Sequence, residues 1–534
     1  MRNLINRSGF FSYIIFLQLL FASYRLFPSF DIFNPVSIFL PMGELIIIII
    51  LLSPGIIQGL RFFISVLSAG ILLFYTIGEI FYRLIYLENF QMITDIHLVP
   101  GLFVMIIPEN LLSPDLTRAF AIMFSVILAS LLGYLLLIPV KKIFHKNKTR
   151  LNPFIISLLI IISSVIIYMY PENSPGFSIA KDLIPAKESE PVVSEQEITP
   201  EIADTRWQFP GIKDSDIHLV VVESYGATLF QRPEYKEHIL ILYSELEPLL
   251  YDDGWIVKSG YVNSPAFGGR SWLADATLLA GRQIEDQKTF DERITNGNPA
   301  WFLKLMEDNS YHRYYVAPGT TRTSDEWKKA YPFDTYLIRP DFGYEGPNIA
   351  FGTLTDQFAF DFLARNYLDD SRNEFAFYLL VSSHTPFVRI PLFKPDWDFS
   401  RKGKEYEEGY IRIFNNNWLS GKELAEGYLA GISYSLETTI RYLTEVLTRN
   451  ELMVIIGDHQ PRKPVSGTDP GFPVLFHIIA PAAGKIFIPG DWELSSGLVP
   501  PELPVDYNEI PEMAEIPMLI ESILRGEEEH RELE

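Results

Sequence analysis

The stretch "LMVIIGDHQPR" (Leu452–Arg462) is an apolar run that ends at Gly457 and passes at once into Asp458 and His459. A short apolar run of this kind is typical of a strand buried in a parallel sheet. A carboxylate oxygen and an imidazole nitrogen are both good ligands for zinc or manganese. For an Asp-His pair taken alone, the commoner interpretation is an aspartate that caps the next turn beside a surface histidine.

Five further strand candidates share this apolar character: "IHLVVVES" (217–224), "GWIVKSGYV" (254–262), "YHRYYVAP" (311–318), "EFAFYLLVSS" (374–383) and "FPVLFHIIAP" (472–481). Helical periodicity lies between them, at Glu234–Leu250, Leu354–Tyr367 and Lys422–Thr448. Strands that alternate with helices predict a doubly wound α/β domain with a mostly parallel central sheet. Ligands bind such sheets at the carboxyl ends of the strands. That rule selects Glu223 and His384 along with the Asp-His pair.

Glu223 closes an otherwise apolar strand. A carboxylate there is costly unless it is solvated, paired or bound to a metal. The plainer interpretation is a solvated glutamate at the start of a loop. His384, in "VSSHTPF" (381–387), is placed to act as an acid, a base or a hydrogen-bond donor. A lone histidine at a strand end is more often structural, so the case depends on these positions meeting at one edge.

Ser271 follows two glycines and Arg270 in "AFGGRSW" (266–272), where a helix closed by Gly281 is predicted to begin. A serine there is commonly an N-cap. The start of a helix also stabilises anions, so Ser271 is equally placed to attack phosphorus or sulfur. Serine does not ionise unaided near neutral pH, and needs a metal or a general base. Arg270 is placed to neutralise charge on a transferred group.

The first third of the chain contains five apolar segments, each close to the length that crosses a bilayer as a helix: Gly9–Leu26, Val36–Leu52, Leu60–Tyr82, Ala119–Val140 and Pro153–Tyr170. Basic residues cluster before the first segment and in "KKIFHKNKTR" (141–150), which predicts a cytoplasmic N-terminus. We therefore expect a transmembrane domain at 1–171, a Pro/Glu/Ser-rich linker at 172–206 and a catalytic domain outside the membrane at 207–534.

The composition excludes several functions. The chain has 66 acidic and 44 basic residues among 534, a net charge of −22, and no cysteine. The acidic balance argues against a nucleic-acid partner. The absence of cysteine rules out disulfides, thiolate metal sites and thiol nucleophiles.

The order "VVES", "GGRSW", "SSHTPF" and "GDH", after several spans and a tether, resembles the alkaline phosphatase/sulfatase superfamily. More narrowly it resembles the branch of lipoteichoic acid synthases and phosphoglycerol transferases, over roughly the whole chain. The resemblance implies one divalent metal, Mn²⁺ before Mg²⁺ or Zn²⁺, on four matching residues: Glu223, Ser271, Asp458 and His459. It also implies that His384 contacts substrate, as do Arg322 and Trp327 of "TTRTSDEWKKAYPFD" (320–334). Serine stands where lipoteichoic acid synthases have threonine.

The resemblance implies a multi-pass enzyme of the bacterial inner membrane whose catalytic domain faces the periplasm or the cell exterior. It would move phosphoglycerol from the phospholipid phosphatidylglycerol to a glycan or polymer acceptor through a covalent Ser271 intermediate. One alternative is a hydrolase of the same fold, a phosphodiesterase, phosphatase or sulfatase. Sulfatases need a C/S-x-P-x-R pattern, which Ser264-Pro265 does not satisfy. Phosphoethanolamine transferases usually carry disulfides, which this chain lacks. Another alternative is a non-catalytic membrane scaffold.

Overall fold

The computed structural model describes residues 215–525, apart from 350–353, 370, 386, 388, 413–420, 448–450, 468–469 and 483–491. It also describes Leu131 and a few positions between 66 and 76. The chain divides into two compact units, Met1–Thr199 and Pro200–Glu534. Apart from those few positions, the five predicted spans and the linker lie outside the described residues. Within the described part, no helix combines the length and the apolar character needed to cross a membrane.

One large sheet dominates the second unit. In chain order the described strands are β1 Asp216–Val222, β2 Trp255–Asn263, β3 His312–Ala317, β4 Thr335–Ile338, β5 Glu374–Leu379, β6 Arg389–Pro391, β7 Tyr410–Arg412, β8 Glu451–Gly457, β9 Pro473–Pro481 and β10 Ser495–Ser496. Eight of these strands pair in the order β10-β2-β9-β8-β1-β5-β3-β4, and β6 pairs separately with β7. The run from β8 to β4 is parallel throughout, while β9 is antiparallel to both of its neighbours. The predicted mostly parallel α/β sheet is confirmed.

The described α-helices are α1 Thr228–Gln231, α2 Pro233–Asp252, α3 Ser271–Ala280, α4 Gln287–Asn296, α5 Trp301–Asp308, α6 Asp325–Ala330, α7 Asp356–Asn366, α8 Gly421–Arg441, α9 Lys463–Ser466 and α10 Ile516–Arg525. Two apolar clusters use opposite faces of the sheet. Along β1, Val220 and Val222 belong to one cluster, and Ile217, Leu219 and Val221 belong to the other. Because apolar cores cover both faces, the central strands have near-continuous apolar sequences rather than alternating ones.

The predicted strands and helices are present, but the structure contains further elements. The strands β4, β6, β7 and β10 were not predicted, because each is too brief to show a periodicity. The helices α4, α5, α6 and α10 were not predicted either. The helix predicted to reach Thr448 ends as an α-helix at Arg441 and continues as a π-helical turn over Tyr442–Val446. Boundaries of this kind depend on tertiary packing more than on local sequence.

Candidate active site

The carboxyl ends of β1 and β8 bring three predicted metal ligands together. These strands are parallel neighbours in which Val222 pairs with Gly457, so Glu223 and Asp458 leave the sheet side by side. Ligand atoms of Glu223, Asp458 and His459 lie within 4.8 Å of one another, and all three residues are buried. The structure therefore contains a group able to hold a metal ion where the sequence placed it.

Close backbone packing sets the position of Asp458. A Cβ atom on Gly457 would lie only 2.1 Å from the Tyr225 carbonyl oxygen. The end of β8 and the turn after β1 can therefore pack this closely only because residue 457 is a glycine. Ser224 adopts a left-handed conformation with φ of 61°. Its backbone N–H donates to Asp458 Oδ1 at 2.7 Å, and its hydroxyl donates to Glu223 Oε1 at 2.9 Å. The turn after β1 thus orients both carboxylates.

His459 is held in the form suited to binding a metal. Its Nδ1 donates to the carbonyl oxygen of Gln460 at 2.8 Å, which leaves the lone pair on Nε2. Nε2 lies 3.4 Å from Glu223 Oε1 and 3.4 Å from Asp458 Oδ2. Burial lowers the pKa of His459, so the ring is neutral at neutral pH.

Ser271 is the first residue of α3 and not its N-cap, so the N-cap interpretation is wrong. The N-cap position belongs to Arg270, which has a left-handed φ of 61° and makes no side-chain cap. The Ser271 hydroxyl instead lies 3.3 Å from Glu223 Oε2 and 3.3 Å from His459 Nε2. A non-glycine residue at positive φ is strained, typically by about 1–3 kcal/mol, and such strain is common at functional sites.

The two carboxylates perturb each other. Burial, and then the neighbouring charge of Glu223, raise the pKa of Asp458 well above its ordinary value. Burial acts to raise the pKa of Glu223 too, but His384 and His459 lower it to about 2. Two buried carboxylates this close are stable together only with a proton or a cation between them. Two carboxylates, an imidazole and a hydroxyl form a donor set that fits Mn²⁺, Mg²⁺ or Zn²⁺.

His384 belongs to the same edge of the sheet, in the turn after β5. The neighbouring Ser383 hydroxyl donates to the Glu223 carbonyl oxygen at 2.7 Å. Asp356, at the start of α7, accepts from the backbone N–H groups of Val381 at 2.9 Å and Ser382 at 3.1 Å. His384 Nδ1 donates to the Thr385 carbonyl oxygen. Burial lowers the pKa of His384, while the charge of Glu223 acts in the opposite direction.

Arg322 and Trp327 are the other two residues that were predicted to contact substrate. Arg322 is exposed on the loop after β3. The Trp327 ring packs against Tyr315, with centroids 4.8 Å apart, and against Tyr331 at 5.2 Å. Within the described part of the chain, no hydrogen bond or ion pair joins either residue to Ser271, so their predicted contact with substrate stays a prediction.

Sequence reasoning passed over several residues that shape the site. The buried Tyr428 hydroxyl donates to the Ser224 carbonyl oxygen at 2.9 Å, and Arg462 Nε donates to the Gly268 carbonyl oxygen at 3.1 Å. Asp356 and Ser383 support the same edge of the sheet. Tyr428, Asp356 and Ser383 have no sequence signal, because each acts across elements far apart in the chain, whereas Arg462 closes the stretch that contains the Asp-His pair. Asp275 does have one, since it lies four residues after Ser271 on the same predicted helix.

Several solved structures are similar to part of this chain. No family model and no curated protein matches the chain. A lipoteichoic acid synthase from Listeria monocytogenes aligns with 50% of this chain at 15% identity and a TM-score of 0.35. A phosphoglycerol transferase from Streptococcus pyogenes, solved with sn-glycerol-1-phosphate, aligns with 51% at 13% identity and a TM-score of 0.34. A protein of the alkaline phosphatase superfamily from Vibrio parahaemolyticus aligns with 51% at 14% identity and a TM-score of 0.30.

The likeness is one of fold. The alignments cover 66%, 69% and 61% of the Listeria, Streptococcus and Vibrio chains respectively, so this chain spans just under two thirds of the first. The function of this chain therefore has to follow from its own residues.

Proposed function

We propose that this protein is a metal-dependent transferase that carries a phosphoglycerol group on Ser271. One observation supports this most directly: the Ser271 hydroxyl at a helix start lies 3.3 Å from both Glu223 Oε2 and His459 Nε2. A serine placed inside a group of metal-type ligands is poorly accounted for as a capping or core residue. A non-catalytic scaffold would have no use for this arrangement.

The residues that would hold the metal are Glu223, Ser271, Asp458 and His459. A bound divalent cation lowers the pKa of a coordinated hydroxyl and offsets negative charge on a transferring phosphoryl group. The chain itself supplies the position of the nucleophile. The first N–H groups of α3 and the Arg270 guanidinium favour an anionic phosphate beside Ser271.

The covalent step is an exchange of ester bonds at phosphorus. Ser271 Oγ forms a bond to phosphorus, and the bond from phosphorus to the diacylglycerol oxygen breaks. We assign the proton transfer to His384: it takes the proton lost by Ser271 and gives it to the departing diacylglycerol oxygen. A neutral imidazole is required to accept that proton, and the lowered pKa of His384 keeps it neutral.

The second step reverses these roles. An acceptor hydroxyl on a glycan or a growing polymer attacks phosphorus, and the bond from phosphorus to Ser271 Oγ breaks. His384 takes the acceptor proton and returns it to Ser271. Phosphatidylglycerol as donor, the acceptor class and a location at the bacterial inner membrane come from the motif resemblance. A membrane anchor in the first 171 residues would bring the site to a lipid donor.

The test is intact mass spectrometry of the full-length protein after incubation with Mn²⁺ and phosphatidylglycerol. The expected result is a phosphoglycerol adduct on the wild type and none on Ser271→Ala, with an equal unfolding temperature and with Mn²⁺ still bound by Glu223, Asp458 and His459. A Ser271→Ala variant that still turns over the lipid would refute the assignment. Product analysis with and without a glycan acceptor separates transfer from hydrolysis, because water replaces the acceptor in a hydrolase.

A further inference from the structure

Asp275 is an acidic residue next to the candidate site that the transfer chemistry above leaves unused. It lies one helical turn after Ser271 in α3, so both side chains project from the same face of the helix. Its Oδ1 atom is buried and accepts no hydrogen bond from any residue that the structure describes. The residue as a whole is half-buried.

The surroundings of Asp275 do not stabilise its charge. Burial, and then the carboxylates of Asp458 and Glu223, raise its pKa well above the ordinary value. The other groups that feel its charge are two tyrosines, Tyr315 on β3 and Tyr331 after α6. Among the described residues, no lysine, arginine or histidine forms an ion pair with it.

A buried acceptor without a partner costs roughly 1–3 kcal/mol, and natural structures contain few of them. Such an atom commonly serves catalysis or meets its partner only when a ligand binds. Asp275 lies on the face of α3 that carries the nucleophile, close enough to the carboxylates of Glu223 and Asp458 to feel their charge. A ligand attached to Ser271 would therefore pass beside it.

We propose that Asp275 selects the transferred group by accepting a hydrogen bond from one of its hydroxyls. This inference rests on the proposed function. It assigns recognition of the polyol head group to Asp275. Cβ atoms four residues apart on a helix are about 5–6 Å apart. A three-carbon polyol esterified to a phosphate on Ser271 is long enough to bridge that gap.

A hydroxyl donor fits the position better than an ammonium donor. The carboxylates that face Asp275 would hold a divalent cation, and a second cation beside it would be repelled. A hydroxyl is neutral and satisfies Oδ1 without that repulsion. Sites built to bond a substrate hydroxyl discriminate strongly against analogues that lack it, because the buried acceptor is then left unpaired.

The experiment compares donors on the full-length, Mn²⁺-loaded protein. The initial rate of adduct or product formation is measured with phosphatidylglycerol, with phosphatidylethanolamine and with bis(4-nitrophenyl) phosphate, which has no hydroxyl. The variants are Asp275→Ala and Asp275→Asn. The control is Asp252→Ala, which removes an exposed acidic residue at the end of α2.

We expect Asp275→Ala to lower the preference for phosphatidylglycerol over bis(4-nitrophenyl) phosphate by about 2- to 10-fold, the range of one hydrogen bond between neutral groups. Asp275→Asn keeps an acceptor oxygen and should retain part of the preference. Metal content should match the wild type, and the control should keep the wild-type preference.

Four results would overturn the inference. An equal loss on both donors, together with lost Mn²⁺, would make Asp275 a support for the metal ligands. An unchanged preference for phosphatidylglycerol in Asp275→Ala would show that Asp275 does not recognise the substrate. A larger loss on phosphatidylethanolamine than on phosphatidylglycerol would show that it binds an ammonium group. If the wild type reacts with bis(4-nitrophenyl) phosphate but not with phosphatidylglycerol, the proposed donor itself is wrong, and this inference falls with it.

Discussion

Replacing Gly457 by alanine tests whether the backbone contact between β1 and β8 builds the metal group. The added Cβ would lie 2.1 Å from the Tyr225 carbonyl oxygen, whereas real Cβ contacts essentially never fall below 3.0 Å. The end of β8 and the turn after β1 therefore have to separate by about 0.9 Å. Asp458 follows Gly457 directly, so this ligand would be displaced with it. Both closest atoms are backbone, Tyr225 O and C, so no side-chain rotation relieves the clash.

The expected loss of stability is about 1–3 kcal/mol, the range for overpacking a filled interior. The effect on the site should be larger. Metal–ligand distances are specific to within about 0.2 Å, so a displacement several times greater breaks the ligand set. We therefore expect Gly457→Ala to fold at a lower unfolding temperature and to lose most of its Mn²⁺ affinity and adduct formation.

The assay combines urea unfolding in EDTA with Mn²⁺ titration by calorimetry. Gly254→Ala is the matched control, because Gly254 has a left-handed φ of 82° and open space around its Cβ position. Alanine there costs roughly 1–2 kcal/mol of backbone strain at a position outside the site. The control should lose comparable stability but keep its metal. Wild-type Mn²⁺ affinity in Gly457→Ala would refute the reasoning.

Two further predictions concern buried groups. His477 is fully buried between Tyr225 and Ser259, and burial lowers its pKa to about 3 from an ordinary 6.5. The unfolded chain binds a proton that the folded one does not, so stability present above pH 6.5 is lost as pH falls toward 3. Between pH 7 and 5 the free energy of unfolding of the wild type should fall by about 2 kcal/mol more than that of His477→Gln, and equal losses would contradict the pKa shift. Mn²⁺ at a hundred times its dissociation constant should add about 2.7 kcal/mol to the free energy of unfolding, and EDTA should remove it. Asp458→Ala should show no such increase, and a full increase there would place the ion elsewhere.

The residue pattern predicted much of the catalytic domain because the central strands are covered on both faces. A strand with neither face exposed to water has a continuous apolar sequence. The runs around the buried Val220 and Ile455 could therefore be recognised as strands from the sequence. Glu223 and Asp458 each lie directly after such a buried strand or its last glycine. They were selected as candidate site residues because a carboxylate there is costly unless it is solvated, paired or bound to a metal. β4 was missed because it is short and half-buried.

The amino-acid sequence alone predicted the α/β class, and it selected Glu223, Asp458 and His459, which the structure brings together. These properties depend on hydrophobic pattern and side-chain chemistry, which are local. Tertiary structure decided that the Ser271 hydroxyl lies toward Glu223, and that Asp275 Oδ1 has no partner among the described residues. Those facts depend on the register of β1 against β8 and on the packing of α3 over that edge. Contacts between segments so far apart in the chain have no local signature.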